Sequence, residues 1–304
     1  MSSLTVGEGV SPDRAGLSAW AVEPLWRWVQ LGRAAIATSL LVTLWTTPAD
    51  DLFYLDRCLP ILGGGLFCQF QQSTATYMAT AVLLLVVSGA LPLLSAVLHW
   101  WVTISFFYSA SLFEGGDQAA TIVTLLLIGV LVAHPFRNLY GTGHSSRRRR
   151  RWPLVVANIS LFITTLQLAY IYLQAALSKL WVDEWVDGSA LWYIMNEPTF
   201  GMGAAMPGFW IWLLTLPLAA TLLTQVPIVM ELTIAVLQFG TEGARRWSLV
   251  IGIALHVGIA LVMGIVAFAT IMIGALVISA SRKGGLGFNV SLSPASPRAL
   301  SHGR

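Results

Sequence analysis

Residues able to do chemistry are scarce in this chain, and their scarcity makes each one informative. Lysine occurs twice, at Lys179 and Lys283, against fifteen arginines. Lys179 ends the run Tyr170-Ile171-Tyr172-Leu173-Gln174-Ala175-Ala176-Leu177-Ser178-Lys179, where a long apolar stretch gives way to polar sequence. Two readings fit it. A lysine at a helix end can stretch its ammonium to the lipid headgroups, or, partly desolvated, it can yield a neutral amine that acts as a base. Arg33, Glu231 and His256 each interrupt an apolar segment. Such groups are costly in hydrocarbon and turn toward a bundle interior, so an Arg33–Glu231 ion pair is one expectation. Arg33 as a mark of the inner boundary is another. His256 can titrate, or it can simply sit satisfied by a hydrogen bond. Asp117, in Glu114-Gly115-Gly116-Asp117-Gln118, either caps a helix N-terminus or lines an outward-facing cavity. His99 and His134 fall near span ends and carry no further expectation. Cys58 and Cys68 are separated by nine residues. That spacing excludes a CxxC redox pair and suits a loop-closing disulfide in an oxidising compartment, while two sulfurs alone make a poor zinc site. Nothing in the chain has metal-ligand spacing, a phosphate-binding loop or a serine nucleophile motif.

The elements that must position these residues follow from composition. Of 304 residues, 56% are hydrophobic and 10% charged, with a mean hydropathy of +0.74. Soluble domains carry about 25% charged residues, so this chain cannot clothe a water-facing surface. The net charge of +3 does not indicate nucleic acid, because five arginines form the single run Arg147–Arg151 with no binding motif around it. A spanning helix needs about 20 apolar residues. Candidate spans are Trp28–Thr47, Thr76–Leu91, Leu93–Phe113, Ala119–Phe136 and Pro153–Leu177, followed by two stretches of about 31 residues, Phe209–Phe239 and Ser248–Ile278. Gly89-Ala90-Leu91-Pro92 reads as a tight turn. The first long stretch is expected to be one helix kinked at Gln225-Val226-Pro227; the second is expected to break between Gly264 and Phe268.

Basic residues collect on the cytoplasmic side, so the Arg147–Arg151 run belongs inside. Counting spans from it gives an all-α bundle of about eight transmembrane helices, with no soluble domain and both termini cytoplasmic. Residues 1–26 form a cytoplasmic segment, 27–280 the transmembrane domain and 281–304 a disordered tail. The first 20 residues have no apolar core and so do not read as a secretory signal. On this topology only Arg57 and Lys179 among the basic residues lie outside. Asp50, Asp51, Asp56, Glu114, Asp117, Asp183, Glu184, Asp187 and Glu197 lie outside with them. Trp26, Trp28, Trp45, Trp152, Trp181, Trp185, Trp210 and Trp247 fall near span ends and read as interfacial anchors.

Around Lys179 the sequence resembles a known family. Ala175-Ala176-Leu177-Ser178-Lys179-Leu180 is followed by Trp185-Val186-Asp187-Gly188-Ser189-Ala190-Leu191-Trp192-Tyr193 and then Pro198-Thr199-Phe200. This is similar to the HTTM (horizontally transferred transmembrane) domain shared with vitamin K-dependent gamma-carboxylase. His256, with Gly258, Gly264 and Phe268, and Arg33 agree with it as well. Within that family the chain looks most like the SdpB group, bacterial membrane proteins implicated in maturing a secreted peptide toxin. The resemblance implies a multi-pass protein of the bacterial cell membrane, embedded in the lipid bilayer and acting on a secreted peptide or toxin precursor. It also implies a small SdpA-like partner. Lys179 matches the carboxylase lysine that deprotonates reduced vitamin K, which implies a catalytic base supported by His256, Asp117, Glu231 and Arg33. A reduced quinone, menaquinol or vitamin K hydroquinone, would be the implied cofactor. Trp185, Gly188, Trp192, Tyr193 and Pro198 carry the motif. A carboxylase-like enzyme and a non-enzymatic immunity or scaffold protein stay open beside toxin maturation.

Overall fold

The computed structural model describes residues 20–53, 65–111, 115–135, 138–140, 151–197 and 207–283. The described residues form helices and connections, with no strand among them. In chain order the helices are α1 (Trp26–Thr46), α2 (Ala49–Leu52), α3 (Leu66–Gln69), α4 (Gln72–Ser88), α5 (Pro92–Ser109), α6 (Gly115–Leu131) and α7 (Arg151–Lys179). They continue with α8 (Asp183–Val186), α9 (Ala190–Asn196), α10 (Pro207–Leu214), α11 (Pro217–Leu237), α12 (Glu242–Met263) and α13 (Val266–Ala280). Helices α7, α11 and α12 are long and apolar enough to cross a membrane. With the shorter apolar helices packed beside them, they make this a helical membrane protein.

Turn chemistry sets the breaks. Gly89 adopts φ +71° and ends α4, and Pro92 opens α5; proline at the first helical position loses no hydrogen bond. Gly264, at φ +77°, separates α12 from α13 and so folds the last apolar stretch into two antiparallel helices. The stretch Phe209–Phe239 differs from expectation. It is not one helix kinked at Pro227: the break falls at Thr215-Leu216, ahead of Pro217. The residue before a proline is pushed out of the helical region, and Leu216 has φ −87° and ψ 113°. Pro227 sits inside the continuous helix α11.

Hydrogen bonds fix which helix ends share a level. Leu25 N–H donates to Ser281 O at 2.9 Å, and Asn158 Nδ2 donates to Trp20 O and Val22 O. Gln238 Oε1 accepts from Ser279 Oγ, which lies 3.1 Å from Thr165 Oγ1. The start of α1, the first half of α7 and the ends of α11 and α13 therefore meet at one end, here the Arg282 end. At the other, the Lys179 end, Ser39 donates to Ala267 O and Phe53, Phe67 and Phe106 stack with ring centroids 5.0 to 6.0 Å apart. Helices α1 and α13 pack closest. A Cβ on Gly32 would collide with Gly274 O, and one on Gly274 would come within 2.7 Å of Gly32 O. Small residues let helix backbones approach where hydrocarbon provides no hydrophobic drive for association.

Candidate functional site

Along α7 the residues Leu161, Thr165, Leu168, Ala169, Tyr172 and Ala176 are buried, a stripe at three- and four-residue spacing that faces the bundle. Lys179 continues that stripe at the helix end. Helical side chains lean toward their own N-terminus. On α7 that lean carries Lys179 back toward the bundle, where Nζ donates to Ala175 O at 3.1 Å. Helix α11 runs antiparallel to α7, so the lean of Glu231 has the opposite sense and the two side chains converge. Lys179 Nζ lies 2.7 Å from Glu231 Oε1 and 2.9 Å from Oε2. The side chains are 19% and 9% exposed, so the pair is largely shielded from solvent.

Above the pair, Trp185 presents its ring 5.2 Å from Lys179 Nζ, within cation–π range. This tryptophan therefore covers the lysine rather than serving only as an anchor. The loop that carries it is tied to α11: Gln225 Nε2 donates to Trp185 O, and Thr224 Oγ1 donates to Gly188 O at 3.0 Å. Gly188 has φ +86°, and a Cβ there would come within 3.1 Å of Thr221 Cα, so both backbone conformation and space require glycine. Asp187 Oδ1 accepts from Ser189 Oγ at 2.6 Å and Ser189 N–H at 2.9 Å. Those bonds hold the Asp187 carboxyl below its usual range. Trp192 and Tyr193, on α9, are exposed. Pro198 lies outside the described residues.

Below the pair, Tyr172 OH and His256 Nε2 lie 2.7 Å apart, both residues 2% exposed. The Phe268 ring sits 5.3 Å from the imidazole. His256 Nδ1 is buried with no hydrogen-bond partner among the described residues. Tyr172 is near enough to Glu231 to feel its charge. Lys179 with Glu231, and Tyr172 with His256, thus form two polar pairs along the buried face of α7 in an apolar bundle. Tyr172 was not singled out in the sequence. Its signal is position, two turns before Lys179 on the same face.

The expectations for Arg33 and Asp117 part company with the structure. Arg33 does not pair with Glu231. It is 0% exposed and donates instead to Ser95 Oγ at 2.7 Å and Pro92 O at 3.4 Å. The reason is packing: α1 lies against α13 and α4, whereas α11 lies against α7 and α12. Asp117 is not an N-cap, because α6 begins two residues earlier at Gly115; its place in the first turn still opposes an acid to the positive end of the helix. Cys68, on α3, has its Sγ 3.3 Å from Ser109 Oγ; Cys58 lies outside the described residues.

Charge divides the bundle. Among the described residues, Arg27, Arg151, Arg245, Arg246, Arg282 and Lys283 lie at the Arg282 end with only Glu23 and Glu242 as acids, and Asp50, Asp51, Asp117, Asp183, Glu184, Asp187 and Glu197 lie at the Lys179 end. Arg245 Nη2 donates to Arg282 O at 2.8 Å, and the Arg282 guanidinium lies over the Phe162 and Trp20 rings. Burial, with nearby Arg245, pulls Arg282 down to about 10.

No protein-family model matches the chain, and no solved structure matches it. Among curated proteins, the chain is 29% identical over 264 residues to the Bacillus subtilis protein YitO, covering 82% of this chain and 83% of YitO. It is 32% identical over 260 residues to the sporulation-delaying protein SdpB of Bacillus subtilis, covering 82% of this chain and 79% of SdpB. With that identity extending over most of both proteins, the chain belongs to the family of the sporulation-delaying protein SdpB.

Proposed function

We propose that this protein works at the outer face of a bacterial cell membrane in maturing or exporting a secreted peptide toxin, with Lys179 as its base. Family membership supports the pathway, and the buried Lys179–Glu231 pair carries the assignment of the site. Basic residues are retained on the cytoplasmic side, which turns the Arg282 end inward and the acidic Lys179 end, with its motif loop, outward. A peptide leaving the cell meets that outer end. A bond between Cys58 and Cys68 would brace the same face, and a small membrane-anchored, SdpA-like partner would dock beside it. The HTTM likeness of the Lys179 motif agrees with this placement.

An ammonium is not a base until it gives up a proton. Glu231 Oε1, 2.7 Å away, is the acceptor. When a bound peptide excludes water, transfer from Nζ to the carboxylate replaces two buried charges with two neutral groups, which a low-dielectric site favours. The free amine then takes a proton from the substrate, and Glu231 returns one to water on release. Trp185 holds water off the amine, and Tyr172 and His256, bonded to each other, lie below the pair on the bundle side.

A reduced quinone, menaquinol or vitamin K hydroquinone, suits this donor set. Lys179 and Trp185 would hold its head, and the orphaned His256 Nδ1 leaves a polar group that an oxygen-bearing ligand would satisfy. When bound, such a group would supply redox chemistry.

Lys179→Arg is the decisive variant. Arginine keeps the charge and the pairing but does not give up its proton. Toxin maturation is expected to stop while membrane protein levels hold. Normal toxin output from that variant would overturn the base role and leave the pair as structure or scaffold. Purified protein given menaquinol, labelled bicarbonate and a glutamate-rich peptide reads out the carboxylase alternative: incorporated label would move the assignment to that chemistry.

A further inference from the structure

A second polar cluster lies on the far side of the bundle from Lys179, and the site described above does not use it. Arg33 is fully buried and makes no ion pair with a described carboxylate. Its Nη2 and Nη1 donate to Ser95 Oγ and Pro92 O, but its Nε–H has no partner. Gln30, one turn earlier on α1, donates through Nε2 to Val86 O at 2.8 Å, while its Oε1 accepts nothing. His99, one turn after Ser95 on α5, is 1% exposed and neither ring nitrogen has a partner. Positions three and four apart share a helix face, so Gln30 lies on the Arg33 side of α1 and His99 on the Ser95 side of α5, and the Arg33–Ser95 bond links the two faces. His99 is close enough to feel the Arg33 charge.

This assembly is electrostatically incomplete. The guanidinium sits against Pro92 and Ser95 in the first turn of α5, where the helix dipole is positive, and no side chain caps that helix start. A buried cation facing the positive end of a helix, with two further orphaned polar groups around it, lacks a counter-charge. We infer that Arg33, Gln30, Ser95 and His99 form a binding site for a phosphate-type oxyanion. Its charged oxygens accept from Arg33 Nε–H, the free Nη hydrogens and a His99 N–H. A hydroxyl on the same ligand donates to Gln30 Oε1. Inorganic phosphate carries such a hydroxyl on phosphorus, and phosphatidylglycerol carries one on its headgroup, so the chemistry admits a free ion or a lipid. Arg33 lies about 10 Å along α1 from its start at the Arg282 end, a depth that a headgroup drawn inward or a small ion reaches. The inference stands apart from the role of Lys179.

The test uses the full chain, delipidated in a neutral detergent. In one arm the unfolding midpoint is followed against sodium phosphate, with sodium chloride matching ionic strength. In the other, protein in phosphatidylcholine nanodiscs is compared with protein in discs containing phosphatidylglycerol. A rise in midpoint in either arm supports the site, and the responding arm names the source. Arg33→Gln, which keeps a hydrogen bond to Ser95 without the charge, is expected to abolish the rise. His99→Leu, which removes the ring donor, is expected to weaken apparent affinity about tenfold, the loss of one charge-assisted hydrogen bond. A flat wild-type response in both arms overturns the proposal, as does an Arg33→Gln protein that responds like wild type. Should Arg33→Gln fail to fold, the wild-type response and His99→Leu decide.

Discussion

Lys179 and Arg33 are both cations held inside the same apolar bundle, yet they are held in opposite ways. Lys179 leans off the end of α7 onto Glu231, keeps 19% of its side chain exposed and lies beneath the Trp185 ring. Arg33 has no exposure and, among the described residues, neither a carboxylate nor a partner for its Nε–H. The lysine's charge is answered within the chain and can be quenched by moving one proton. The arginine's charge has no such outlet, since its guanidinium does not deprotonate in proteins, and no described carboxylate answers it. A protonatable pair suits chemistry, whereas a permanent, unanswered charge suits binding.

Breaking the Lys179 side gives the largest expected effect. Glu231→Gln strands the ammonium, and losing one member of a shielded pair costs about 3 kcal/mol. Thermal or denaturant unfolding in micelles measures it. Replacing both partners, Lys179→Met with Glu231→Leu, is expected to recover most of that stability, because apolar pairs of similar volume replace buried ion pairs at little cost; toxin output stays at zero. If the double variant is no more stable than Glu231→Gln, the pair is not the source of the loss. The next largest effect tests the helix pair that carries Arg33. Gly274→Leu drives a side chain into the α1 backbone at Gly32 and is expected to cost about 2 kcal/mol by overpacking. Because α1 then shifts against α5, it should also blunt the phosphate response while leaving the Lys179 pair in place.

Sequence made the long helices legible, and the reason is physical. Span-length apolar runs and the turn signals at Gly89–Pro92 and Gly264 are local properties, and local properties are written locally. Lys179 stood out for the same reason, as a lysine where the chain otherwise spends arginine. The partner of Lys179 was not legible. Glu231 was matched with Arg33 because both are charges in apolar runs, but pairing depends on which helices are neighbours. Helices surrounded by lipid show apolar residues on every side, so periodicity says little about facing. The sense of lean for Lys179 and Glu231 could be worked out only once α7 and α11 were known to be antiparallel. Tyr172 looked like one more aromatic among many until His256 lay beside it. The break before Pro217 was misplaced to Pro227 because a proline mid-helix and a proline at a helix start look alike in sequence.

A smaller expected effect asks how far the Lys179 site extends down the bundle. Tyr172→Phe removes the hydroxyl that meets His256 Nε2 and leaves both ring nitrogens without a described partner. The expected loss is about 1–2 kcal/mol. If Tyr172 and His256 set the Lys179–Glu231 pair, toxin output falls further than that loss in folded protein accounts for. A fall in output that only tracks protein level would confine the site to the pair and Trp185.

The smallest effect belongs to the loop that carries Trp185. Ser189 donates twice to Asp187 Oδ1, which lowers that carboxyl from its ordinary value of 3.8. A carboxyl whose folded value is depressed contributes stability above its unfolded value, and that stability is lost as pH falls through the folded value. The loop's hold on α11 is therefore full at neutral pH and weakens only in acid, below about 4. Asp187→Asn is expected to flatten this acid limb while changing neutral-pH stability little, since the carboxyl is fully exposed and solvent screens its bonds. Fluorescence of Trp185 against pH is the sensitive measurement, because this ring rides on the loop and lies over Lys179. An acid transition that survives unchanged in Asp187→Asn would belong to another acid and would leave the loop's anchorage to the bonds from Gln225 and Thr224. The cover over the lysine would then be independent of the Asp187 carboxyl.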